Sequence, residues 1–135
     1  MSTLEDPLVR AFEASTVDGA RFRHREHLYV AFCLLRALPF EEAAARYVGA
    51  LRRLAAALGV PQKFHATMTW AYLTLLDEAM HRPGLEAAGF DEVLAGTPAL
   101  LDDGAALLRR HYGPGELDDP EARRRFVLPR GAPGV

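Results

Sequence analysis

Apolar residues recur along this chain with the period of a helix, and no stretch shows the alternation of a half-buried strand. Between residues 23 and 38 they fall at Leu28, Ala31, Leu34, Leu35 and Leu38, the spacing of one helix face. Between 40 and 58 the inward positions are Phe40, Ala43, Ala44, Tyr47, Leu51, Leu54 and Leu58. Between 64 and 82, His65, Met68, Thr69, Tyr72 and Leu76 share a face. A shorter segment, 7–14, offers Leu8 and Phe12 with Val9 beside them. The punctuation agrees with these limits. Asp6-Pro7 and Asp119-Pro120 each pair an N-cap with proline at the first helical position. Asp18-Gly19 marks a turn, Pro39 separates two helices, Gly59 with Pro61 stops the third, and Pro83-Gly84 breaks the fourth. Weaker patterns predict helix over 89–94, over 98–112 with Gly104 interrupting, and over 120–126. The expected fold is all-α: one domain over 1–128, a bundle of four main helices with short C-terminal helices, then a Gly/Pro-rich tail, 129–135.

Short connections make consecutive helices antiparallel neighbours, so the second and fourth helices run parallel. Their starts then lie at one end of the bundle, and both starts carry histidine. His24 and His27 are separated on the helical wheel by about 60° and bracket the core stripe. His65 stands in the same relation to Met68, Thr69 and Tyr72. Three imidazoles are therefore expected to converge.

Imidazole binds metals while neutral, and an i, i+3 pair joined by a histidine from a neighbouring helix supplies three ligands. Three histidines plus water make the open form of a zinc site, which activates water and polarises carbonyls. Iron, copper and nickel accept the same ligands. Neither Glu26 nor Cys33 faces this way, and Glu13 or Glu78 would reach only with a different packing. The same three rings equally suit a polar cluster holding the bundle end together, or a metal-free site with histidine as general acid or base. Around them, Arg21, Arg23 and Arg25 form either an anion-binding set or a solvated first turn. Lys63 is an anion holder or amine nucleophile, or an exposed loop residue. Thr69 is a hydrogen-bond donor to a ligand or to its own helix, and Thr67 flanks Met68 on the other side. Trp70 and Tyr72 read as packing residues, Tyr29 and Tyr47 as candidates for a pocket mouth, and His81 and His111 as surface residues.

Composition narrows the classes. Half of the 135 residues are hydrophobic, enough for a core without cross-links. The net charge of −2 gives no reason to expect nucleic acid or an anionic membrane. The single cysteine, Cys33, excludes an internal disulfide and reads as a small buried residue. The first residues show no signal-peptide pattern, and the apolar run 66–76 is too short for a membrane span. A cytoplasmic setting is expected. Fifteen arginines against one lysine, with abundant alanine, suggest a GC-rich bacterial source.

Phe22-Arg23-His24-Arg25-Glu26-His27-Leu28, Lys63-Phe64-His65-Ala66-Thr67-Met68-Thr69-Trp70 and Ala122-Arg123-Arg124-Arg125-Phe126 resemble a group of small, uncharacterised bacterial proteins. Their pattern is F-x-H-x-x-H-L followed by K-x-H-x-T-x-T. The likeness spans residues 20–128 and implies that histidines and threonines belong together, without implying an activity.

The leading expectation is a small metal-binding enzyme acting on a small molecule, compatible with specialised metabolism. His24, His27 and His65 would hold a divalent metal, zinc first, with Thr69, Arg23 and Arg25 orienting substrate. Hydrolysis or lyase chemistry suits zinc, and oxygen chemistry suits iron or copper. The alternatives are a non-catalytic accessory domain with a structural histidine cluster, compatible with a homodimer, and a metal carrier or sensor.

Overall fold

The Asp6 side chain accepts the Leu8 amide at 2.8 Å, and Pro7 needs no partner for the N–H it lacks. Helix α1 (Pro7–Glu13) therefore starts at the Asp-Pro step. In the computed structural model, which describes residues 3–130, five further α-helices follow: α2 (His24–Ala37), α3 (Phe40–Ala57), α4 (Ala66–Met80), α5 (Phe90–Gly96) and α6 (Pro120–Arg124). The remaining regular structure is short 3₁₀ turns, and no strand occurs among the described residues. The expected tail, 129–135, lies mostly outside the described residues.

Local chemistry explains most boundaries. The Glu26 carboxylate reaches back to the Arg23 amide at 2.9 Å and holds the first turn of α2. Pro39 separates α2 from α3, and Gly59, at φ +75°, ends α3 in the left-handed conformation that glycine adopts without steric cost. Asp119 caps α6 through the Glu121 amide at 2.8 Å.

Two expectations are corrected. The fourth helix begins at Ala66 rather than Phe64, because the His65 ring itself acts as the N-cap, accepting the Met68 amide at 3.1 Å. The stretch 98–112 is not one helix. It breaks into the turns Pro98–Leu101, Asp103–Ala105 and Leu108–Arg110, because Gly104 and Ala105 take φ of +63° and +57°, outside the helical region.

Helices α2, α3 and α4 carry most of the core. Besides its expected stripe, α2 buries Val30, Phe32 and Cys33, since α5 covers a second side: Phe32 lies 5.5 Å from Phe90, ring to ring. Helix α4 is apolar on nearly every side because it is packed twice. One face joins the main core through Leu73, Leu76, Ala79 and Met80. Another receives the C-terminal segment, where Ala71, Ala105, Leu108, Tyr112 and Leu117 form a second cluster. Each such Leu removed from water contributes on the order of 1.5–3 kcal/mol.

Thr67 joins these halves. It is fully buried, donates to the Arg125 carbonyl at 3.0 Å and accepts the Val127 amide at 3.1 Å. A hydroxyl of valine's size and shape thus satisfies two backbone groups of the segment after α6. Thr67→Val keeps the volume and strands both groups, so it should cost about 1–3 kcal/mol, read as a lowered midpoint in chemical denaturation. An unchanged midpoint would mean that residues 125–127 do not dock on α4.

Candidate functional site

Three aromatic rings prepare the histidine end. Phe12 stacks on Phe22 (5.4 Å) and on Tyr47 (5.2 Å), tying the connection before α2 to the middle of α3. His27 meets Phe22 edge-on at 4.4 Å, and its Nδ1 lies 3.2 Å from the Tyr47 hydroxyl. Beside this stack, the start of α2, the C-terminal part of α3 and the start of α4 enclose a cavity of about 450 Å³. His24, His27 and His65 all line it, with Tyr47, Thr69 and Tyr72 as further polar groups and Leu28, Leu51, Leu54, Met68 and Leu73 among the apolar ones. The three imidazoles expected to converge therefore line one space. Gly19, Leu58 and Lys63, all exposed, stand on its outer side.

The three rings are not equivalent. His65 is buried and uses both nitrogens: Nδ1 accepts the Met68 amide, so Nε2 carries the hydrogen and donates to the Leu117 carbonyl at 2.7 Å. His24 donates from Nε2 to the Leu100 carbonyl at 2.7 Å and packs on Tyr72 at 4.8 Å. Its Nδ1 has no hydrogen-bond partner among the described residues. Among the described residues, His27 makes one hydrogen bond, the contact with the Tyr47 hydroxyl. Burial is the main reason its pKa drops from 6.5 to about 4, helped by the neighbouring His24 and opposed by Glu26. The ring is therefore neutral at physiological pH. Burial also pushes the Tyr47 phenol far up, keeping it protonated. When the phenol donates to Nδ1, the neutral ring carries its hydrogen on Nε2, which has no hydrogen-bond partner among the described residues, and the ring lines the cavity.

Other sequence candidates are placed elsewhere. Arg23 is exposed and contributes its backbone to the α2 cap. Arg25 pairs with Asp91 at 2.6 Å and covers the Phe90 ring, on the α5 side of α2. Neither lines the cavity. Thr69 lines it, yet its hydroxyl donates to the His65 carbonyl at 2.7 Å, back along its own helix. Tyr29 donates to Asp6 instead of standing at the mouth, and Glu13 is engaged by Arg46. Cys33 is buried, which pushes its thiol up to about 11, and His81 and His111 are exposed. No group of three or more His, Cys, Asp or Glu positioned to hold a metal ion occurs among the described residues. Sequence reasoning overlooked Phe22 as part of the wall, and it overlooked the carbonyls of Leu100 and Leu117. Backbone acceptors leave no compositional trace.

Comparison of the chain with protein-family models, with curated proteins and with solved structures found no match.

Two measurements test this geometry. Above pH 6.5 the His27 ring is neutral in both folded and unfolded chains. Between 6.5 and about 4 the unfolded chain binds a proton that the folded one excludes, so stability should fall with pH across that window and level off below it. His27→Phe should remove this part of the decline in denaturant midpoints taken at both ends of the window. A decline equally steep in the variant would show that His27 is not desolvated. Separately, His65→Asn keeps a capping side chain and should lose less stability than His65→Ala, which forfeits the cap and strands the Leu117 carbonyl. The gap should be about 1 kcal/mol. Equal losses would mean that the ring does not cap α4.

Proposed function

We propose that this domain binds a small, largely apolar molecule in the cavity between α2, α3 and α4, with the neutral His27 ring donating a hydrogen bond to an oxygen of the ligand. The supporting observation is a half-buried, neutral imidazole, its Nε2 without a hydrogen-bond partner among the described residues, on the wall of a space of about 450 Å³, a volume ordinary for small-molecule sites. The low pKa favours binding over proton transfer. A general base works best with a pKa near the operating pH, and a ring at about 4 has little driving force to hold an abstracted proton at pH 7.

Titration with 1-octanol, followed by ring ¹⁵N and ¹H resonances of the histidines, tests this. His27 should shift with a saturating dependence while exposed His81 stays put. No His27 shift at saturating octanol would overturn the reading.

A metal-binding enzyme or carrier is the second reading, favoured by a specific feature. Metal-ligating histidines commonly donate their other nitrogen to a backbone carbonyl, as His24 does to Leu100, which leaves Nδ1 for a zinc, iron, copper or nickel ion. His27 could offer Nε2. His65 would have to release either the Met68 cap or the Leu117 carbonyl, each worth roughly 1 kcal/mol, against a metal affinity several-fold larger. Elemental analysis of protein purified without chelator decides between the two. Near one metal per chain, lost in a His24→Ala, His65→Ala double variant, would establish the second reading. No metal bound, and none taken up on titration, would sink it.

A further inference from the structure

We propose that the ligand is an amphipathic monocarboxylate with a hydroxyl or carbonyl oxygen on its chain, the chain in the cavity with that oxygen at His27 and the carboxylate at Lys63. This rests on the binding reading above. The lining contains not one Asp or Glu. Its polar groups are imidazoles, phenols, a threonine hydroxyl and one ammonium, so a ligand cation would find no counter-charge there. Lys63 is the only lysine in the chain, sits at the end of the turn Pro61–Lys63 on the outer side of the cavity, and makes no ion pair among the described residues. A second cation stands nearby: the Arg52 guanidinium lies 4.2 Å over the ring of Phe64, itself a lining residue. Three carboxylates stand near the lining without belonging to it: Asp18, engaged by the Ala20 amide at 3.0 Å and by Arg21 at 3.7 Å, Glu26, which accepts the Arg23 amide, and Asp102, close enough to the Tyr72 phenol to help raise its pKa.

Orientation follows from burial. The inner wall holds a neutral imidazole and a buried phenol among aliphatic side chains, where a carboxylate would be desolvated without a counter-charge. At Lys63 it keeps part of its hydration and gains an ion pair. The apolar chain then runs inward past Leu58, which is 48% exposed and would be covered by it.

Octanoate, 1-octanol and octylamine share one chain length and differ in headgroup, so their affinities at pH 7 and low salt read the headgroup preference directly. Octanoate should bind about fivefold tighter than octanol, and octylamine weaker than either. Lys63→Gln should erase the octanoate advantage while leaving octanol affinity unchanged, and 0.5 M salt should shrink it in the wild type. Octylamine binding as tightly as octanoate, or an octanoate advantage that survives Lys63→Gln, would overturn the carboxylate assignment while octanol binding kept the cavity reading intact. No binding by any of the three would overturn both.

Discussion

The His65 ring accepts the Met68 amide at one nitrogen and donates to the Leu117 carbonyl from the other, and much of the fold meets at that ring. The first bond starts α4. The second holds down a C-terminal segment that cannot satisfy itself. Residues 98–118 form 3₁₀ turns and bends, which leave carbonyls without the regular partners a long helix supplies. His65 serves the carbonyl of Leu117, His24 that of Leu100, and Thr67 that of Arg125. Three side chains from the first turns of α2 and α4 thus satisfy a segment that is distant in sequence. The second hydrophobic cluster forms around this arrangement, with Leu108 fully buried against α4.

Such use constrains chemistry. A ring nitrogen that holds a backbone carbonyl is unavailable to a ligand, so the histidines divide their work. His65 is committed on both sides and His24 on one. His27 makes no hydrogen bond to the C-terminal segment among the described residues, and its Nε2 is left without a protein partner there. The cavity survives because its lining comes from residues 19–73 alone, so the C-terminal segment closes α4 without filling the space. Desolvation serves the same end, since a charged His27 among Phe12, Phe22 and Tyr47 would bring solvent demand into an aromatic stack.

The cavity lining itself carries one sign of charge, with Asp102 beside Tyr72 and Glu26 beside His27 just outside it. Protein carboxylates near this end are spent on backbone amides and arginines: Glu26 on α2's cap, Asp18 on its turn, Glu13 on Arg46. Among the lining residues the one charged side chain is Lys63, with Arg52 over the Phe64 ring beside it. An apolar interior behind a cationic opening selects for molecules carrying the opposite arrangement.

The sequence by itself determined the helical class and most of the boundaries, because periodicity, Asp-Pro caps and stop glycines act within a turn or two of chain. It also led to the expectation that His24, His27 and His65 would converge, and all three line one cavity. Tertiary structure decided the rest. The helical pattern over 98–112 gave way to turns, because Gly104 and Ala105 adopt a left-handed conformation that lets the segment pack on α4. Arg23 and Arg25, beside the histidines in sequence, went to a cap and to Asp91, because adjacent helix positions point about 100° apart. Thr67, unremarkable as a letter, became a buried clasp. Which ring nitrogen is free depends on where distant carbonyls arrive, and every residue type carries the same carbonyl. Sequence can therefore gather the histidines, but only the packed chain assigns them their work.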